Sequence, residues 1–218
     1  LMGPDSIGYI KLSRFARTTQ DEFVKAAKEL KAKGMKKLIL DLRGNGGGYL
    51  NAAVGICDEL LPKGSEIVYT QGRASPRQDY KADGDGLLIG MPLAVLIDEG
   101  SASASEIVTG AIQDNDRGIV VGRRSFGKGL VQEQIDLRDS SAVRITTARY
   151  YTPSGRCIQR PYGKGIDYAD DLESRYIHGE LLNIDSIHLD SALAYTTLKG
   201  RTVYGGGGIM PDIFVPAD

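Results

Sequence analysis

Lys37-Leu38-Ile39-Leu40-Asp41-Leu42-Arg43-Gly44-Asn45-Gly46-Gly47-Gly48 is the stretch whose reading decides the fold. Its first six residues are apolar enough for a strand buried on both faces, as at the centre of a parallel sheet. The glycine cluster ends that strand in a turn, and Leu50 to Leu61 then reads as a helix closed by Pro62-Lys63-Gly64.

The same strand, turn and helix recur on either side. Upstream, Ile7, Tyr9, Ile10 and Leu12 make a short strand, and Thr18-Thr19-Gln20-Asp21-Glu22 starts a helix that Gly34 ends. Its Phe23, Ala26, Ala27 and Leu30 fall on one face. Downstream, Glu66 to Gln71 is another strand, and residues 72–90, with Gly84, Gly86 and several charges, read as an exposed loop. Pro92 to Asp98 is a second buried strand, running into Gly100-Ser101-Ala102-Ser103-Ala104-Ser105-Glu106 and a helix over Ile107 to Gln113. Gly118 to Gly122 is β-branched and extended. Val131 to Leu137 and Ala142 to Tyr150 alternate like an antiparallel pair. From Pro161 to Thr202 the texture turns polar, with both histidines and a weakly helical piece near Asp185 to Tyr195; it reads as an insertion or lid. Gly205 to Gly208 feeds a last strand in Pro211 to Val215. The expected fold is α/β, a mostly parallel sheet with flanking helices and antiparallel strands toward the C-terminal end. The expected organisation is a core over 1–160, an insertion over 161–202 and a closing strand of the core over 203–218.

At 218 residues the chain can bury a proper core. A net charge of −1, with acids and bases mixed throughout, leaves no basic patch for nucleic acid and no polycationic face for a membrane. No apolar run approaches the roughly 18 residues a membrane helix needs. Cys57 and Cys157 are too few for a disulfide scaffold and lack metal-ligand spacing, so buried free thiols are expected. The chain opens Leu1-Met2-Gly3-Pro4, mid-pattern, and is taken as a fragment or processed chain, in which a missing signal peptide says nothing about compartment.

Three serines stand where the second buried strand meets its helix, and the plain reading is that they cap it, Glu106 completing a capping box from Ser103. A reactive hydroxyl there would face the unpaired N–H groups of a helix start. Its base is found by elimination. His178 and His188 sit in the polar insertion without a scaffold, and GxSxG is absent, which leaves lysine. Lys128, in Ser125-Phe126-Gly127-Lys128-Gly129, has no acid nearer in sequence than Glu133. To act as a base it must be neutral, from a reference pKa of about 10.4 to roughly 7 to 8, some 3 to 4 kcal/mol of environmental bias. Gly122 to Lys128 also matches the phosphate-binding pattern GxxxxGK, but Gly129 replaces the required Ser or Thr and a strand pattern follows where that motif needs a helix. The glycines after Asp41 either supply a positive-φ turn or expose N–H groups for an oxyanion hole, together with the N–H of Ala104. Strands ending at Asp41 and Asp98 would bring both turns to one sheet edge, where α/β sites form, with Asp41, Arg43 and Asn45 bracing the turn.

Asp41 to Gly48, Glu99 to Glu106, and Ser125 to Gly129 with Gln132 resemble, in order and spacing, the carboxyl-terminal processing (tail-specific) peptidases of family S41. The resemblance runs from about Ile7 to Gln159 and resumes at Gly205 to Val215. It implies a ClpP/crotonase-like core with Ser103 as nucleophile, Lys128 as general base and Gln132 orienting Lys128. It implies an oxyanion hole from the N–H groups of Ala104 and Gly47 or Gly48, with Ser101 and Ser105 structural, and no metal or cofactor. The implied substrates are proteins or peptides with accessible C-termini, and the implied workplace is outside the cytoplasm. A PDZ domain is expected before Ile7 in the full-length protein; none is read here, and homo-oligomer formation stays open. The rival from another class is a catalytically silent module that docks peptides by strand addition.

Overall fold

Residues 1–162 and 170–217 are described by a computed structural model, so residues 163–169 of the expected insertion lie outside the described residues. In chain order the elements are β1 (Ile7–Lys11), α1 (Thr19–Ala32), β2 (Lys37–Asp41), α2 (Leu50–Asp58), β3 (Glu66–Gln71), β4 (Gln78–Lys81), β5 (Leu93–Ile97) and α3 (Ala104–Asp114). They continue with β6 (Ile119–Gly122), β7 (Leu130–Asp136), β8 (Ala142–Tyr151), α4 (Asp171–Ile177), β9 (Ala194–Thr196), β10 (Thr202–Tyr204) and β11 (Ile213–Phe214).

Five strands form one sheet in the order β1-β2-β5-β6-β11, and every neighbouring pair in it is parallel. The middle strand is β5, with Leu38 to Asp41 of β2 in register with Leu93 to Leu96 on one side and Ile119 to Gly122 of β6 beside Ala94 to Ile97 on the other. Leu38, Leu40, Val95, Ile97 and Val120 are buried in the core this sheet shares with its helices. On α1 the buried face is Phe23, Ala27 and Leu30, as the spacing predicts. Truncating a core side chain such as Leu40 costs about 2–5 kcal/mol, because the cavity refills only in part. The parallel order has one functional consequence. The turns after β2, β5 and β6 all leave the same edge of the sheet as immediate neighbours.

The remaining strands form a four-stranded sheet, β4-β3-β8-β7, antiparallel throughout, and a small β10-β9 hairpin. Three details differ from the sequence reading. Residues 72–90 are not all loop: β4 pairs with β3, and Ala82 and Leu88 are buried in the core. β4 is an edge strand of polar residues, held by its backbone, so it lacks the apolar alternation that marks a strand. Asp185 to Tyr195 forms no α-helix, only single turns at Ile184–Ser186 and Ser191–Leu193 before β9. The helix of this region is α4, whose buried residue is Arg175, so no apolar stripe announces it.

Cys57 is buried in the core and Cys157 half-buried, and both are free thiols. Among the described residues no helix is long and apolar enough to cross a membrane.

Candidate active site

Ser103 is the residue from which the turn after β5 enters α3, and its backbone stands at φ 56°, ψ −113°. Positive φ is uncommon for a residue with a Cβ and costs on the order of 1–3 kcal/mol, so other contacts must hold it there. They do. Its N–H donates to Glu106 Oε2 at 2.8 Å, and its carbonyl accepts from the N–H groups of Glu106 and Ile107. Its neighbours fix the turn: Ser101 Oγ donates to Leu42 O at 2.8 Å and Ser105 Oγ to Asn45 O at 2.8 Å. Those two serines therefore bind the turn after β5 to the turn after β2.

The glycine turn lies directly against the serine turn. A Cβ on Gly47 would sit 2.6 Å from Ala102 O and 2.7 Å from Ser103 Cβ, so a glycine is required by close approach as well as by φ +94°. Gly47 N–H donates to Asn45 Oδ1 at 2.9 Å. The N–H groups of Gly48 and Ala104 have no hydrogen-bond partner among the described residues. Asp98 Oδ1 accepts from the N–H groups of Gly44 (2.8 Å) and Gly100 (3.0 Å), joining the two turns at their bases. Asp41, fully buried, accepts from Tyr9 Oη and from the backbone and guanidinium of Arg43. Burial pushes its carboxyl up, but the Arg43 and Tyr9 hydrogen bonds outweigh this and hold it at about 2. Asp41, Arg43 and Asn45 brace the turn, as expected.

Lys128 arrives in the loop after β6 and leads straight into β7, so no helix follows it and the phosphate-loop pattern lacks its structural counterpart. Nearly every backbone N–H of this loop is spent on a partner from elsewhere. Ser125 N–H donates to Ile209 O, Phe126 N–H to Ser101 O, and Gly129 N–H to Gln159 Oε1. Gly127 and Lys128 both donate to the carboxylate of Glu106, at 2.7 and 2.8 Å, and Ser125 Oγ donates to it at 2.6 Å. Glu106 is thus fully buried with four donors on two oxygens, spanning serine turn and lysine loop at once. Burial raises its pKa, and the four hydrogen bonds oppose that rise. A capping box is the least of its contacts, and the sequence reading missed the rest. Every residue of α3 is buried, and an acid in a helix without a wet face must be satisfied internally. Glu106 meets Lys128 at its backbone N–H and not at its ammonium.

A cleft of about 570 Å³ gathers these parts: Ser103, Lys128, Gln132 and Gly46 to Gly48 all line it. Gln132 follows an irregularity in the β7–β8 register between Val131 and Gln132, the kind of bulge that re-aims a side chain. Tyr150, also in the wall, is a neutral phenol, its pKa pushed up to about 12 by burial and by the nearby Tyr80. Lys128 and Arg144 are the charged side chains of the lining, which holds no acid. Among the described residues no hydrogen bond joins Lys128 Nζ to Ser103 or Gln132. His178 and His188 are exposed and do not line the cleft. No group of His, Cys, Asp and Glu among the described residues could hold a metal ion.

Residues 6–169 match the model of peptidase family S41. The chain belongs to peptidase family S41. Among relatives, a carboxy-terminal-processing protease of Bartonella bacilliformis is 48% identical over 173 residues, 76% of this chain and 38% of that protein. A chloroplastic C-terminal processing peptidase of Tetradesmus obliquus is 41% identical over 154 residues, 71% of this chain and 33% of that protein. The S41 chain therefore spans about a third of the length of such curated relatives. The solved structure of a photosystem II D1 C-terminal processing protease superposes with a TM-score of 0.69 at 31% identity, over 99% of this chain and 45% of that one.

Proposed function

We propose that this S41 chain is the catalytic core of a serine endopeptidase that cleaves protein substrates at or near their C-termini, with Ser103 and Lys128 as a dyad. One observation carries the reading: three neighbouring turns of the parallel sheet bring Ser103, Lys128 and the glycine turn into one cleft, to which β7 of the second sheet adds Gln132. Neutral Lys128 takes the Ser103 Oγ proton as Oγ attacks the scissile carbonyl carbon. The oxyanion is held by the N–H groups of Gly48 and Ala104, since that of Gly47 is committed to Asn45. The lysine ammonium then passes its proton to the departing amine, leaving an acyl group on Ser103. Water, deprotonated by Lys128, attacks the acyl carbon and releases a carboxylate, restoring the Ser103 hydroxyl. Gln132 orients the lysine from its bulge.

The C-terminal preference draws support from the family and from the cleft itself. The Arg144 guanidinium and the lack of an acid in its lining favour a substrate end that carries a carboxylate. A division into a core over 1–160 and 203–218 and an insertion over 161–202, a PDZ domain before this core in the longer protein, assembly into oligomers, and action outside the cytoplasm belong to the same proposal.

The test is hydrolysis of an unfolded protein such as casein by the parent, Ser103→Ala and Lys128→Ala. Turnover falls by at least about 10³-fold in both variants, while peptide binding survives in Ser103→Ala. A lysine base requires activity that rises from neutral to alkaline pH, and a flat profile there would sink the dyad. A second reading, a silent peptide-binding module, rests on the open Lys128–Ser103 pair. It predicts peptide affinity without turnover in the parent.

A further inference from the structure

The lysine loop is gripped from two sides. From inside the core Glu106 takes its N–H groups. From outside, α4 takes its carbonyls. Arg175 is almost fully buried, and its guanidinium donates to Arg124 O at 2.6 Å and Ser125 O at 3.1 Å. Its Nε donates to Glu180 Oε1 at 2.8 Å, and the same carboxylate receives Arg124 Nε at 2.7 Å. Arg124 in turn donates to Gly207 O at 2.8 Å. Two arginines and one glutamate, largely shielded from water, thus close around the backbone of residues 124 and 125, just upstream of Lys128.

Burying such a cluster carries a desolvation cost, and a fork that spans two carbonyls is something a lysine point charge cannot reproduce. An exposed loop needs neither. Moreover, Arg175 and Glu180 lie beyond residues 6–169, the part matched to the family. On the reading of Lys128 as the base, we propose that Arg175, seated by Glu180, is a positioning residue that fixes the loop backbone and hence the reach of Lys128 toward Ser103. Arg175 and Glu180 are then a brace of the catalytic loop.

The experiment compares the parent with Arg175→Met, which keeps bulk and removes every donor, Arg175→Lys, which keeps charge without the fork, and Leu181→Ala, which trims a buried side chain of the same segment. Amide exchange of residues 125–128 and steady-state kinetics on an unfolded protein are read on all four. Arg175→Met is expected to speed exchange in 125–128 and lower kcat roughly 10- to 100-fold with KM within about twofold, as for a base displaced by about an ångström. Arg175→Lys recovers part of both. Leu181→Ala lowers the melting temperature and leaves kcat and loop exchange at parental values. Unchanged exchange at 125–128 in Arg175→Met overturns the brace, and so does faster exchange with undiminished kcat, or equal loss of kcat in Leu181→Ala. If Arg175→Met does not fold, Arg175→Lys decides on the same two readouts. A parent without turnover sinks the peptidase reading and with it the positioning role, and exchange then still tells whether Arg175 holds the loop.

Discussion

The serine turn and the lysine loop reach one cleft from adjacent strands, yet they are secured by different chemistry. The serine turn is stitched to the glycine turn mainly through neutral groups, the hydroxyls of Ser101 and Ser105, the Asn45 carbonyl and backbone N–H groups, with the Asp98 carboxylate accepting from both at their bases. Each such bond contributes about 0.5–1.5 kcal/mol, and losing one leaves the others. The lysine loop depends on charged side chains sent from other elements, Glu106 on α3 and Arg175 on α4. Removing one charge of a buried set leaves its partners unsatisfied and costs about 3–5 kcal/mol. Ser103 is fixed redundantly by its surroundings, whereas Lys128 is fixed by a few interactions that fail abruptly.

The largest expected effect is at the residue shared by both regions. In Glu106→Gln one oxygen becomes an NH₂ facing N–H or O–H donors, since each oxygen now accepts two. Turnover is expected to drop about 10²- to 10³-fold, with destabilisation of about 3–5 kcal/mol. Near-parental kinetics and melting would erase the distinction between the two regions. Next comes Gly47→Ala, which drives a methyl into Ala102 O and Ser103 Cβ. It lowers kcat about 10²-fold with a smaller loss of stability, because the neutral stitching shifts without leaving a charge bare. Equal kcat in Gly47→Ala would show that the glycine turn is not held against Ser103 as described.

The smallest effect belongs to Asp41 and sharpens the comparison through pH. Its folded pKa, about 2, lies below the unfolded value of about 3.9, so its stabilisation is full above pH ~4 and disappears as pH falls toward 2. That is about 2–3 kcal/mol at neutral pH. Urea midpoints measured between pH 6 and pH 2.5 should fall less steeply in Asp41→Asn than in the parent, and parallel slopes would remove Asp41 from the bracing of the turn.

How legible each region was in the sequence follows the same division. Leu38-Ile39-Leu40 and Leu93 to Ile97 carry their burial in their composition, so the parallel sheet and its two turns could be read directly. Glycines and small residues mark the turns and elimination points to Lys128, whereas the choice of Ser103 among three serines and the part of Gln132 rest on the resemblance to family S41; the cleft brings the three together. β4 and α4 could not be read. The first is paired through its backbone and the second is anchored by Arg175, and neither leaves an apolar pattern. Glu106 was half legible: its place after Ser103 suggested a cap, while its grip on Gly127 and Lys128 joins residues 21 and 22 positions apart.

Ser125 N–H and Oγ both bind Ile209, whose own N–H donates to that hydroxyl across 84 residues of chain. During synthesis the serine and glycine turns can close as soon as β5 and β6 are out. The lysine loop has to wait for Ile209. At about 5–20 residues per second that wait is roughly 4–17 s. Through that interval the growing chain carries both turns while the loop of Lys128 still lacks its distant partner, so the cleft is completed well after the two turns that begin it.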